Sequence, residues 1–154
     1  MKVFHEKMNQ YIADNAIECD HLYFEVSTHS VEEAAMATNA SPEDFVKNIC
    51  LMSESLGLIV AIVKGENRVS TKKVAKILEI ARPETASIDE ILQFTGYPIG
   101  GVPSFGYEAV ILIDEKVMEK DFVYTGGGTA NSLVKISTLE LLRASGGRIV
   151  NISK

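Results

Sequence analysis

The sequence predicts a mixed α/β (α+β) fold, and three observations predict it. Apolar runs of strand length recur at residues 49–52, 58–63 and 109–113,. Amphipathic stretches opened by Ser-x-x-Glu signatures separate them, the pattern in which a hydroxyl and a carboxylate satisfy the orphan N–H groups of a helix start,. No linker, internal repeat or low-complexity segment interrupts the chain, so residues 1–154 are expected to form one domain,.

Each element has its own reason. Residues 1–15 place Phe4, Met8, Tyr11 and Ile12 on one stripe, which predicts an amphipathic helix,. Residues 19–26 read as a strand. Ser30-Val31-Glu32-Glu33 is a capping box for a short helix through Ala37, and Ser41-Pro42 offers a second start with proline where its missing N–H costs nothing,. The runs 49–52 and 58–63 form a strand pair around Gly57, and Gly65-Glu66-Asn67 turns the chain,. Ser70 caps a helix through Leu78, and Ser87 caps another that stops near Gly96,. Residues 109–113 make a buried strand, 122–124 and 133–136 shorter ones,. Ser137 starts the last helix, Gly146-Gly147 closes it, and residues 148–152 end the chain as a strand.

Composition narrows the function classes. Lys and Arg total 15 against 21 Asp and Glu, a net charge of −6, which argues against coating nucleic acid by bulk charge,. Cys19 and Cys50 are too few for a disulfide framework and lack zinc spacing,. No apolar run approaches the roughly 18 residues of a membrane span, and the first residues do not resemble a signal peptide. The expectation is a cytoplasmic protein with no metal, no cofactor and no membrane or DNA partner.

One segment reads most like a site. Gly96-Tyr97-Pro98-Ile99-Gly100-Gly101-Val102-Pro103-Ser104-Phe105-Gly106 holds too much glycine and proline for a regular element, yet its apolar residues can anchor it,. From composition it is either a tight surface turn or a loop that brings bare backbone N–H groups to a ligand. Gly126-Gly127-Gly128-Thr129-Ala130-Asn131-Ser132 is either a second such wall or a hairpin connection. Lys47 precedes an apolar run; it could hold a phosphate or carbonyl oxygen, or simply snorkel at a junction. His5, His21 and His29 show no metal spacing and read as surface or packing histidines. Asp114-Glu115 reads as a turn or cap, and no nucleophile–base motif occurs.

Several separated segments together are more specific. His29-Ser30-Val31-Glu32-Glu33-Ala34-Ala35, Phe45-Val46-Lys47, Thr95-Gly96-Tyr97, Gly100-Gly101-Val102-Pro103-Ser104-Phe105-Gly106 and the later glycine run resemble, in order and spacing, the YbaK/EbsC family. These are free-standing relatives of the editing domain of bacterial prolyl-tRNA synthetases. The resemblance extends over about residues 17–152 and implies a mixed, partly antiparallel or barrel-like sheet surrounded by helices. It also implies aminoacyl-tRNA deacylation in trans, the hydrolysis of the ester between a wrong small amino acid (Ala, Cys or Ser) and the terminal adenosine of a tRNA such as tRNA-Pro.

The resemblance assigns roles as well. Lys47 matches the functional lysine, and Gly100 and Gly101 the glycines that line the aminoacyl pocket and offer amides. Tyr97, Val102 and Pro103 fall at pocket-flanking positions. Thr125, Gly126, Gly127, Gly128, Asn131 and Ser132 match the second wall, where Asn131-Ser132-Leu133 stands in place of the aspartate that some bacterial members carry. The family is described as lacking a protein nucleophile, the substrate's ribose hydroxyl helping to place water. Lys64, Arg68, Lys72, Lys73 and Lys76 either meet acceptor-stem phosphates or form a solvated face, and a synthetase partner could raise effective concentration. The alternative function is a non-catalytic nucleotide or tRNA-end binding module on the same fold.

Overall fold

The structure is a computed structural model and describes residues 2–154; Met1, assigned from the sequence to the first helix, lies outside the described residues. In order the elements are α1 (Lys2–Asp14), β1 (Cys19–Tyr23), α2 (Val31–Thr38), β2 (Val46–Ser53), β3 (Gly57–Lys64), α3 (Thr71–Leu78), β4 (Glu84–Thr85), α4 (Ile88–Thr95), β5 (Val110–Asp114), β6 (Phe122–Gly126), β7 (Ser132–Ser137), α5 (Thr138–Ser145) and β8 (Arg148–Val150).

The strands form two sheets, as a mixed α/β fold requires. The larger has the order β4-β2-β3-β5-β8, with β2–β3 and β2–β4 antiparallel, and β3–β5 and β5–β8 parallel. The smaller is antiparallel with the order β1-β7-β6. A single bridge between Phe45 and Tyr124 links them, so the barrel-like variant of the expectation is corrected: among the described residues the sheets do not close.

The central strand β3 explains its continuous apolar run. Leu58, Val60 and Ile62 face the main core, where they meet Val46 and Cys50 of β2, Val123 of β6, Val134 and Ile136 of β7, and Met8 of α1. Ile59, Ala61 and Val63 face the opposite cluster with Val74 of α3 and Ile152. A strand covered on both faces has no solvent side to mark with polar residues. A third cluster seats Ala34 of α2 on Phe45, Tyr124 and Leu133.

Local signals behave as their chemistry requires. Ser30/Glu33 and Ser87/Glu90 both form complete capping boxes. Asp114, fully buried, accepts hydrogen bonds from the Ile152 and Ser153 amides at 2.9 and 3.0 Å, which ties the chain end to β5. β1 stops at Tyr23 rather than residue 26 because its partner strand β7 begins only at Ser132, where the glycine run ends. Ser41-Pro42 opens only a 3-10 turn, Pro42–Asp44, and β2 starts three residues earlier than its apolar run, taking Lys47 into the sheet.

At α5 the Ser137 hydroxyl caps Glu140 N, but the Glu140 carboxylate turns elsewhere. It accepts two 2.6 Å hydrogen bonds from Arg143 and a 2.7 Å bond from Glu18 N, joining the helix start to the segment before β1. The Arg143 bonds, then the Glu18 amide, hold its carboxyl down to about 2. A depressed carboxyl stabilises the fold above the unfolded value of 4.5 and loses that contribution as pH falls through about 2,. Glu140→Gln should therefore be less stable than the parent in urea at pH 7, with the gap shrinking between pH 4.5 and about 2,. A pH-independent gap would contradict the assignment.

Candidate active site

The site lies where α2, β2, the glycine loop 96–106 and β6 converge. A cavity of about 180 Å³ opens there, larger than the roughly 150 Å³ that admits benzene into an engineered core,. Its walls are Thr28, His29 and Ser30 before α2, Lys47 and Asn48 on β2, Ile99, Gly100 and Val102 on the loop, and Thr125 and Gly126 on β6. Val31, Ala34, Phe45, Ile91 and Leu133 give it an apolar side.

Its floor is a closed ring of hydrogen bonds. The Asn48 amide donates to Val102 O at 2.8 Å and to Thr125 Oγ1 at 2.9 Å. Ser104 Oγ donates to Asn48 Oδ1 at 2.7 Å. The Ser104 proton being spent, the 2.7 Å contact between the two hydroxyls is a bond from Thr125 to Ser104,. Every donor in the ring is used, and one direction of donation runs around it. The Val102 carbonyl also fixes which end of the Asn48 amide is nitrogen.

Two glycine segments meet beside this ring, backbone on backbone. The Gly128 amide donates to Gly101 O at 2.8 Å. A Cβ on Gly126 would overlap the Val102 carbonyl, and one on Gly101 would come within 2.6 Å of Thr129 N. Gly100 takes φ +87°, and a Cβ there would overlap the His29 ring. These glycines are needed for close approach rather than for flexibility.

Lys47 lines the cavity and has no hydrogen-bond or ion-pair partner among the described residues. It stands opposite Val63 near the start of β2 and, half-buried, forms part of the cavity wall. Burial first, and the Arg68 cation second, lower its ammonium below the ordinary lysine range. Cys50 is the one thiol at the cavity among the described residues, and burial pushes it up to about 11. It is therefore a thiol at neutral pH and no nucleophile.

Not every residue singled out from the sequence comes to the cavity. Gly101 stands behind Gly100, its amide donating to Pro98 O at 3.1 Å, whereas the Gly100 amide has no hydrogen-bond partner among the described residues. Tyr97 is fully buried in the main core, its ring under Lys7 Nζ at 4.6 Å, and burial holds its hydroxyl up at about 12. Pro103 lies behind the wall, its carbonyl accepting the Tyr107 hydroxyl at 2.6 Å. Gly127 and Gly128 support Gly126 from outside. Asn131 donates to Phe24 O and Ser132 Oγ accepts from Thr129 N, so both shape the β6–β7 turn.

Of the basic residues, Lys64 is paired with Glu66 at 3.2 Å and Lys73 donates to Ser153 O at 2.7 Å. Arg68 and Lys72 remain exposed and without an ion pair among the described residues. Asn48, Ser104 and His29 were not assigned to the site from the sequence. The signal for Asn48 is its parity with Val46 and Cys50, which places an amide among inward residues. Thr125→Val should cost about 1–3 kcal/mol in urea unfolding, because it strands the Asn48 donor and the Ser104 hydroxyl in a buried place. A loss below about 0.5 kcal/mol, the size of an ordinary surface change, would show that the ring does not hold the site.

Comparison with known proteins agrees with this geometry. The chain is 26% identical over 134 residues to the uncharacterised protein YwhH of Bacillus subtilis (strain 168), covering 86% of this chain and 85% of that one. The structure of the hypothetical protein APE2540 is similar at 26% identity and a TM-score of 0.88, over 96% of this chain and 99% of that one. That of a candidate trans-editing enzyme for prolyl-tRNA synthetase has the same fold, with a TM-score of 0.90 at 24% identity over 97% and 96% of the two chains. The family model of the aminoacyl-tRNA editing domain matches residues 25–144, from the segment that leads into α2 to the end of α5, and includes every wall of the cavity. The chain belongs to the aminoacyl-tRNA editing domain family.

Proposed function

We propose that this protein is an aminoacyl-tRNA deacylase that acts in trans in the cytoplasm. It would hydrolyse the ester between a small amino acid, such as alanine, cysteine or serine, and the terminal adenosine of a mischarged tRNA, tRNA-Pro among them. The observation that carries the reading is a lysine, unpartnered among the described residues, in the wall of a small cavity whose one thiol is held protonated. An aminoacyl ester is already activated, so orientation and charge stabilisation suffice to hydrolyse it.

In this reading Lys47 holds a phosphate or carbonyl oxygen at the substrate's end. The unpaired Gly100 amide donates to the developing oxyanion; one such donor is worth about 3–4 kcal/mol of barrier. The ribose hydroxyl next to the ester helps to place the attacking water. The volume selects small side chains, a task that a synthetase cannot complete alone because one methylene is worth only about 1–3 kcal/mol. Arg68 and Lys72 face acceptor-stem phosphates, and with a net charge of −6 the affinity for tRNA is modest and salt-sensitive,. A synthetase that delivers the tRNA would raise its effective concentration.

The decisive experiment is multiple-turnover hydrolysis of alanyl-, cysteinyl- and seryl-tRNA at low enzyme concentration. Turnover is expected, with Lys47→Ala reducing release of the amino acid by about 10²-fold or more while the fold survives. Binding without turnover would instead favour a non-catalytic tRNA-end module. Unchanged deacylation by Lys47→Ala would remove the lysine from the mechanism.

A further inference from the structure

We propose that His29 is the proton acceptor for the hydrolytic water in this cavity, an assignment that rests on the deacylase reading. Its ring lies against the Gly100 backbone, where an added Cβ would overlap Nδ1 and Cε1, so Nε2 is the freer nitrogen. Neither ring nitrogen has a hydrogen-bond partner among the described residues, and the side chain lines the cavity while open to solvent. The backbone on both sides is fixed: His29 N donates to Ser27 Oγ at 3.2 Å, Thr28 N to Ala130 O at 2.7 Å, and Ser30 caps α2. An exposed ring on a fixed backbone, lying against Gly100 at the cavity with a free lone pair, is placed as an acid–base group can be,.

The other titratable groups at the cavity do not compete. They are Lys47 and Cys50 from β2 and Tyr124 from β6. An ammonium has no lone pair, burial keeps the Cys50 thiol protonated, and a phenol is a poor acceptor at neutral pH,. The glycine loop and α4 contribute Ile99, Gly100, Val102 and Ile91, none of them titratable. On His29's own side Glu33 is engaged with Ser30 N and Ser27 Oγ, and Glu32 is exposed on α2; neither lines the cavity. Imidazole is the side chain that ordinarily changes charge between about pH 5 and 8.

In the step, water oxygen adds to the ester carbonyl carbon and its proton passes to the imidazole. The bond from that carbon to the ribose oxygen then breaks, and the imidazolium returns the proton to the departing ribose oxygen. The products are the free amino acid and the tRNA, with no other reactant.

The test compares wild type, His29→Asn and His29→Gln on the same charged tRNAs across about pH 5 to 8. Wild-type kcat should fall on the acid side as the imidazole protonates. Both variants should lose about 10²-fold in kcat with little change in KM, and their acid limb should flatten. Their thermal unfolding should match wild type, because the ring is solvent-exposed. A variant that keeps the wild-type rate, or one that is slower at every pH with the acid limb intact, would overturn the assignment while leaving the deacylase reading in place. Absence of turnover by wild type would overturn both.

Discussion

The ring formed by Asn48, Thr125 and Ser104 is the constraint on which the site depends. It joins a central-sheet strand, the glycine loop and the smaller sheet through three buried polar side chains. In a low-dielectric interior such a ring is secure only when complete, because any missing partner leaves an unsatisfied group that costs more than one bond is worth. Its directionality explains its stability. Each proton has one destination, and the spare Asn48 donor is taken by Val102 O. The glycine contacts follow from it, since the loop must approach within the distance that these short side chains span.

Above this rigid floor the electrostatics are lopsided. The chain carries an excess of acids, yet among the described residues no carboxylate lines the cavity and Lys47 has no ion-pair partner. Partial burial, then the nearby Arg68 cation, lowers the Lys47 ammonium below the ordinary lysine range,. An anionic or strongly dipolar ligand opposes that shift. The one thiol at the cavity among the described residues, Cys50, is held protonated by burial.

Much of the fold was legible in the sequence because its signals are local. The capping serines, the glycine stops and the two-sided run of β3 act over a few residues and form as read. Lys47 and Gly100 were likewise singled out and do line the cavity. What stayed hidden was tertiary. Gly101 and Tyr97 sit in a motif that touches the cavity, but an alternating backbone can present only some of its residues. Asn48 and Ser104 looked like ordinary polar positions, since a ring closed by partners 56 and 77 residues away leaves no local trace. His29 is exposed, as a surface or packing histidine would be, but its contact with Gly100 joins residues too far apart in sequence to leave a local signal.

Those separations also bear on when the site comes into being. Between Asn48 and Ser104 the chain runs through β3, α3, β4 and α4, and Thr125 lies beyond β5, which pairs parallel to β3. Parallel pairing across such a crossover is slow, because loop-closure entropy is lost before the contacts form. The β2–β3 hairpin is by contrast a local pairing, and by itself it supplies only the Asn48 member of the ring. The polar floor is therefore complete only when segments on both sides of β5 are in place, so the cavity and the fold of the whole domain stand or fall together.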